Sequence, residues 1–211
     1  GTDLITITVN DSSGTLNATD LSALGGKTGG TVTVSNAVNI QGNTAQVTAA
    51  LVTDETKVVA ANATVEISNA STVAELNALA PKAGVITGSI AATSLASLSD
   101  LATAGTDLIT ITVNDNAGDT LNATDLSTLG GKTAATATVS NAVVISGTQA
   151  QVTAALVTNE TKVTAANALV TVSDNAGVNL NAEDLSAIGG ATGGTVTVSN
   201  AVNIQGTQAQ V

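Results

Sequence analysis

The sequence is distinguished first by the residue types that it lacks. Cysteine, histidine, methionine, arginine and all aromatic residues are absent from its 211 residues. Without cysteine or histidine, the chain has neither the usual ligands of zinc, copper and haem nor the usual nucleophile–base pairs. Without aromatic side chains, it has no surface on which a nucleobase or a sugar ring can stack. We therefore expect no enzyme, no catalytic residue and no cofactor.

Positive charge is also scarce. Five lysines stand against sixteen acidic residues, and the net charge is −11. A charge of this sign repels phosphate backbones and anionic lipids, so nucleic acid is not expected as a partner. No apolar run approaches the roughly 18 residues of a membrane-spanning helix, and no basic start leads into an apolar run. Neither membrane insertion nor a signal peptide is predicted.

What the chain does contain is a recurring pentad of the type Thr-Val-Thr-Val-Ser. Its eight copies end at residues 10, 35, 68, 91, 114, 140, 173 and 199, so that successive copies lie 23 to 33 positions apart. Val or Ile fills most second and fourth places, while Thr, Ser and Asn fill most others. This alternation is typical of a half-buried strand with threonine outward. The long connections between copies require parallel pairing.

Self-similarity at such a period is the signature of a solenoid. Between the pentads, apolar residues recur at helical spacing, and Thr72-Val73-Ala74-Glu75 has the pattern of a capping box. We predict a solenoid: one parallel β-sheet of about eight rungs backed by short helices, similar to leucine-rich-repeat α/β solenoids. An all-β parallel β-helix is the alternative, because coils of 23 to 26 residues suit it as well.

The chain is predicted to be one continuous repeat array over residues 1–211. Its coils start near residues 10, 35, 68, 91, 114, 140, 173 and 199. Residues 1–69 realign with residues 105–174, and residues 173–211 repeat the first part again. The sequence opens and stops inside copies of itself, which suggests a fragment of a longer protein. The fourth pentad positions should form one buried column, consisting of Val9, Val34, Ile67, Ile90, Val113, Val139, Val172 and Val198.

A family resemblance follows from these runs, for example from residues 20–28 and 32–37. They resemble the Thr/Val/Ala/Asp-rich repeats of very large secreted or cell-surface proteins of bacteria, cyanobacteria among them. The resemblance covers nearly the whole chain. It implies an extracellular or cell-surface location and a structural role as spacer, filament, surface-layer building block or adhesin stalk. The calcium-binding nonapeptide of the RTX toxins is not present, so its calcium sites cannot be transferred.

Outward threonines form the first candidate functional surface. In the predicted sheet they would stack at about 4.8 Å in two columns, a device of ice-binding solenoids. The alternative function is thus binding of ice or of a repetitive polymer. The structural interpretation, which we favour, is that threonine suits the solvent face of a strand. The members of this threonine surface are Thr6, Thr8, Thr31, Thr33, Thr110, Thr112, Thr136, Thr138, Thr195 and Thr197.

An Asn or Asp follows seven of the eight pentads. We call these residues the Asx column: Asp11, Asn36, Asn69, Asp115, Asn141, Asp174 and Asn200. They are predicted to bond the backbone of the turns. The rival interpretation is calcium, with Asp115, Asp119, Asp11 and Asp174 as ligands, but no EF-hand spacing is present. We therefore expect no metal.

Two further features complete these predictions. The carboxylate pairs Asp54-Glu55 and Glu183-Asp184 are expected at helix starts and in loops, where negative charge suits the helix dipole. The terminal rungs should expose unpaired strand amides. Self-association through stacked coils, or pairing with neighbouring repeats of the same protein, is therefore the expected partnership.

Overall fold

Short parallel strands alternate with short helices along the chain. The computed structural model describes residues 2–53 and 55–210. Two compact units are present, one comprising Gly1–Ala91 with Leu101–Thr110 and the other Ala92–Asp100 with Ile111–Val211.

The described residues of the first unit form three helices and seven complete strands. The helices are α1 (Ala18–Gly25), α2 (Thr44–Leu51) and α3 (Val73–Leu79), followed by a 3₁₀ turn at Ala80–Lys82. The strands are β1 (Ile7–Val9), β2 (Thr15–Asn17), β3 (Val32–Val34), β4 (Asn39–Gly42), β5 (Val58–Val59), β6 (Thr64–Ser71) and β7 (Val85–Ile90). Strand β8 (Leu108–Val113) contributes its first three residues to this unit and its last three to the second.

The second unit repeats this alternation. Its helices are α4 (Leu95–Leu98), α5 (Ala123–Gly130), α6 (Gln149–Leu156) and α7 (Ala182–Gly190), with a 3₁₀ turn at Asn159–Thr161. Its other strands are β9 (Thr120–Asn122), β10 (Ala137–Val139), β11 (Val144–Gly147), β12 (Val163–Thr164), β13 (Leu169–Val172), β14 (Asn179–Asn181), β15 (Val196–Val198) and β16 (Asn203–Gln205).

The predicted single sheet is wrong, and so is the β-helix alternative. The described residues form a mixed α/β fold with seven helices and four separate parallel sheets, of three, seven, four and two strands. The strand orders are β1-β3-β5, β12-β10-β8-β7-β6-β4-β2, β15-β13-β11-β9 and β14-β16. The interpretation as an extracellular solenoid filament or adhesin loses its structural basis with this result.

The prediction of a single sheet failed because it paired every pentad with the next one along the chain. The pentads at residues 31–35 and 64–68 do not pair with each other, because β3 pairs with β5 and β6 pairs with β4. Strands β4 and β5 were not predicted. β4 contains one large apolar residue, Ile40, and β5 consists of two valines only, so neither shows an alternation long enough to indicate a strand.

The inward face of each pentad follows the period of two. Among the fourth positions, Val9 and Val198 are half-buried and the other six are buried, with Val113 and Val172 fully inaccessible to solvent. They do not form one column: six of them form three pairs in three different sheets, whereas Ile67 lies beside Gly42 and Ile90 beside Ser71. The register places Val9 beside Val34, Val113 beside Val139, and Val172 beside Val198.

Side-chain caps define where the helices begin. The predicted capping box at Thr72 is confirmed: its hydroxyl accepts a hydrogen bond from the Glu75 amide, and the Glu75 carboxylate accepts one from the Thr72 amide. Helices α2 and α6 carry the same motif with glutamine as the returning residue. Each box satisfies amides that a helix start otherwise leaves without partners.

Two helices end where a later segment packs closely. A Cβ atom at Gly25, the last residue of α1, would overlap the backbone carbonyl of Thr56. At Gly130, the last residue of α5, it would overlap the carbonyl of Thr161. Gly189 occupies the same sequence position in the third copy, in α7, and there a Cβ would meet nothing within 4 Å. Only the first two positions therefore require glycine.

Thr48 and Thr153, at equivalent places in α2 and α6, each bury a hydroxyl without a hydrogen-bond partner. We expect Thr153→Val to raise the free energy of unfolding by about 1 kcal/mol, because it removes an unsatisfied polar group at nearly constant volume. The matched control is Thr161→Val. The Thr161 hydroxyl donates to the carbonyls of Ala155 and Thr158 at 3.1 and 2.9 Å, so this change should cost about 1 kcal/mol. Urea titration measures the change in the free energy of unfolding for both variants. If both changes had the same sign, the difference in hydrogen bonding between Thr153 and Thr161 would not explain the result.

Candidate functional site

Three of the four asparagines of the Asx column bond the backbone of the preceding copy in one repeated geometry. Asn36 Nδ2 donates to the carbonyl of Asp11 at 2.8 Å. Asn141 Nδ2 donates to that of Asp115 at 2.6 Å, and Asn200 Nδ2 to that of Asp174 at 2.7 Å. Each bond joins segments 25 or 26 positions apart. The amides thus fasten successive turns to each other.

Three further members of the column accept hydrogen bonds from the first amides of helices. Asn69 Oδ1 accepts from the amide of Thr44, the first residue of α2, at 2.7 Å. Asp115 Oδ2 accepts from the first amide of α4, that of Leu95, at 2.7 Å. Asp174 Oδ2 accepts from the first amide of α6, that of Gln149, at 2.6 Å. A carboxylate at this place also complements the positive end of the helix dipole.

The four calcium candidates do not converge. Asp119 accepts from the amide of Asn116 at 2.9 Å and closes a turn next to Gly118, whose φ of 87° favours glycine. Asp115 and Asp174 cap helices, and Asp11 receives the Asn36 contact on its carbonyl. Throughout residues 2–53 and 55–210, no three acidic side chains form a group that could hold a metal ion.

Calcium chelation is accordingly expected to leave stability unchanged. A thermal melt with EDTA and one with added Ca²⁺ should agree within about 2 °C, because a ligand that binds only the folded state would raise the midpoint. A fall of about 10 °C or more in EDTA would contradict this expectation. It would make Asp115 and Asp119 calcium ligands.

The threonine surface is distributed over separate sheets. Thr8 lies beside Thr33, and Thr112 lies beside Thr138, which is followed by Thr164. The Thr164 hydroxyl donates to that of Thr138 at 3.3 Å. In the other strand pairs, Thr110 of β8 lies beside Ser89 of β7, and Thr197 of β15 lies beside Thr171 of β13. Thr6, Thr31, Thr136 and Thr195 precede the strands, and all ten candidates are exposed or half-buried.

The column beside Thr33 is interrupted. Its next neighbour across the sheet is Val59, which is 49% exposed. The structure thus divides the candidate threonines among small groups in separate sheets, and Thr110 lies beside a serine.

Of the carboxylate pairs, Glu183 and Asp184 lie in the first turn of α7. Asp54 of the other pair lies outside the described residues.

Asp107 is a buried carboxylate whose contacts were not predicted from the sequence. It is only 4% exposed, and its Oδ1 accepts from the amide of Ile86 on β7 at 2.8 Å. Its Oδ2 accepts from the amide of Ala104, also at 2.8 Å. Asp3 occupies the same place in an identical tetrapeptide, Gly-Thr-Asp-Leu, yet Asp3 is exposed. No local signal distinguishes the two residues.

Asp107→Ala is expected to destabilise its unit by about 2–4 kcal/mol, since two amides lose a charged acceptor and that of Ile86 is buried. Asp3→Ala is the matched control and should change the free energy of unfolding by less than about 0.5 kcal/mol. Urea titration of both variants gives the comparison. Similar losses in the two variants would show that burial does not decide the outcome.

A second unpredicted contact joins α6 to the start of α7. The buried Gln149 donates from Nε2 to the carbonyl of Asn181 at 2.6 Å and accepts from the Asn181 amide at 3.0 Å. Asn181 in turn caps α7 through a bond from the Glu183 amide at 2.8 Å. One glutamine therefore holds the backbone of the residue that begins the next helix.

The cavities in the described parts of the chain include one in each unit. One, of about 310 Å³, lies in the second unit between Leu185, Val196, Val198 and Ile204, with no charged residue in its wall. The other, of about 510 Å³, lies in the first unit and presents Lys57 and Lys82 beside Thr53 and Val59. Neither wall contains a carboxylate, so neither offers a general acid–base pair.

Within the described residues, none of the helices is both long and apolar enough to cross a membrane. Comparison of the chain with protein-family models, with curated proteins and with solved structures gave no match.

Proposed function

We propose that this chain is a structural spacer segment and not an enzyme. The observation that supports the proposal is the use of its polar side chains. Asn36, Asn141 and Asn200 make the same bond to the backbone of the preceding copy, and Asn69, Asp115 and Asp174 bond helix starts. The residues that would otherwise carry chemistry thus hold segments of the backbone together.

Such an arrangement suits a load-bearing role. Each of these bonds joins segments 20 to 26 positions apart and contributes about 0.5–1.5 kcal/mol, or somewhat more where a carboxylate accepts. Cohesion is therefore distributed over many equivalent contacts. The two cavities described above add no acid–base pair, and the composition provides no thiol or imidazole.

Stretching the chain between two handles in an optical trap tests the proposal. A spacer should keep its length as force rises and then unfold in discrete steps. A Gly/Ser linker of equal residue number is the control and should lengthen continuously from the lowest forces. Continuous lengthening of this chain would contradict a spacer function.

Ice or polymer binding is the second candidate, and one observation favours it. Thr112, Thr138 and Thr164 lie side by side on β8, β10 and β12. A thermal-hysteresis measurement tests this directly. Activity that disappears in Thr138→Val would support ice binding, and absence of hysteresis would contradict ice binding.

A further inference from the structure

Each of the four described sheets ends in two edge strands, and the edges at β16 and β1 leave exposed an isoleucine whose copies are buried. Strand β16 pairs only with β14, and its Ile204 is 48% exposed, although the copies of this residue, Ile40 and Ile145, are fully buried. Strand β1 pairs only with β3, and the preceding Ile5 is 59% exposed, whereas its copy Ile109 is fully buried. Both edges therefore leave apolar surface and strand amides in solvent.

An internal junction shows how these two kinds of edge fit each other. Strand β11 is the sequence copy of β16, and β13 occupies the pentad position of β1. Strands β11 and β13 pair in parallel, with Ile145 beside Val170 and Ser146 beside Thr171. The Ser173 amide donates to the Gly147 carbonyl at 2.8 Å and continues the ladder. The copies of these two pairs are Ile204 with Ile7 and Gln205 with Thr8.

Side chains at the same junction strengthen the correspondence. The Gln149 amide donates to Asp174, and the Gln149 side chain holds the backbone of Asn181. The copies of these three residues are Gln208, Asp11 and Asn17. In the described structure, neither the Gln208 amide nor the Asp11 carboxylate makes a hydrogen bond.

The segment around Gln208 already has the geometry of the template. The Thr207 amide donates to Gln210 Oε1 at 2.8 Å, as the Thr148 amide donates to Gln151 Oε1 at 2.8 Å where α6 begins. Next to this turn lies the 310 Å³ apolar cavity, whose wall includes Ile204. The turn that would receive the second copy thus already contains the hydrogen bond that begins α6 in the template.

We propose that β1 of a second copy of this chain adds in parallel to the outer edge of β16. Ile204 then lies beside Ile7 of the second copy and Gln205 beside its Thr8. The Gln208 amide donates to the carboxylate of Asp11 in the second copy, and the Gln208 side chain bonds the backbone of its Asn17. Ile5 of the second copy leaves solvent at this junction. The contact is head-to-tail, and the inference does not depend on the spacer function.

Charge sets the conditions for this association. Each copy carries a net charge of −11, so two copies repel each other at low ionic strength. At 1 M salt the screening length falls to about 3 Å, and the repulsion is largely removed. Association should therefore strengthen with salt, as expected for strand pairing between like-charged chains.

Disulfide formation between introduced cysteines tests the proposed register. The chain contains no cysteine of its own, so every disulfide must join the introduced positions. Opposed Cα atoms in adjacent strands lie about 4.8 Å apart, which a disulfide can span. Mixing the single variants Thr8→Cys and Gln205→Cys under mild oxidation in high salt should give mainly the mixed dimer. Gln41→Cys replaces Gln205→Cys in the control. Gln41 is the same sequence position on β4, it is exposed, and its strand already pairs with β6. A yield equal to that control would overturn the proposal.

Sedimentation of the full chain gives the second measurement. The Ile7 amide donates to the Thr31 carbonyl, so the neighbouring Thr8 amide points to the free edge. Thr8→Pro should therefore weaken association several-fold while the thermal midpoint stays unchanged. A strictly monomeric unsubstituted protein at high concentration and high salt would overturn the proposal, as would association that Thr8→Pro leaves intact. A monomer that still bears load in the optical trap would retain the spacer function.

Discussion

Gly130→Ala should lower the free energy of unfolding of its unit by about 3 kcal/mol or more. The added Cβ would overlap the backbone carbonyl of Thr161, and a backbone atom cannot move aside as a flexible side chain can. Overpacking of this kind forces the backbone apart and typically costs 1–3 kcal/mol or more. Urea titration, with the midpoint and slope reported separately, measures the loss.

The control for this prediction is Gly189→Ala. It makes the same change at the same sequence position of the third copy, where the Cβ meets open space. Because alanine favours a helix over glycine by about 1 kcal/mol, this variant should be neutral or slightly stabilised. Equal losses at Gly130 and Gly189 would show that helix geometry, and not the approach of Thr161, decides the outcome.

Val113→Asp should cost about 3 kcal/mol or more and lower the thermal midpoint by about 10 °C or more. Val113 is fully inaccessible to solvent and lies beside Val139 in the sheet, so the carboxylate would enter an apolar layer without a partner. Thr138→Asp, an exposed position on the adjacent β10, is the control and should change the midpoint by less than about 3 °C. A Val113→Asp variant that melts within a degree or two of the parent would mean that the inward face is assigned wrongly.

Several local features of the fold could be predicted from the sequence. The alternation of β-branched and polar residues correctly identified the buried side of the pentads, as Val113 and Thr138 illustrate. The Thr72 capping box was readable because its two residues lie three positions apart. Parallel pairing followed from the long connections, and only parallel pairs occur among the described strands. Each of these properties depends on residues that are close in sequence.

Pairing partners could not be predicted in the same way. Strand β5 consists of Val58 and Val59 alone, and a dipeptide has no periodicity. The choice of β5 over β6 as the neighbour of β3 depends on how far the chain travels through α2, which no local pattern encodes. The predicted sheet therefore merged strands that belong to different sheets, and the threonine surface was overestimated as a continuous array.

Identical sequence at different places was the second obstacle. Asp3 and Asp107 lie in the same tetrapeptide, yet only Asp107 is buried and bonds the Ile86 amide. Gly130 and Gly189 are likewise copies, and only Gly130 meets another backbone. In both cases the distinction arises from the segment that packs against the residue. Identical local sequences can therefore have different structural roles in different copies of the repeat.

The repeated asparagine contact has a consequence for covalent ageing. Asn36, Asn141 and Asn200 all use their Nδ2 group as donor to a backbone carbonyl. Deamidation replaces that group with an oxygen that cannot donate, and it places a negative charge against the carbonyl. The three sites share one chemistry, so slow hydrolysis would weaken all three contacts in the same manner. Because the chain has no thiol or thioether to oxidise, amide hydrolysis is the covalent change that would affect these contacts.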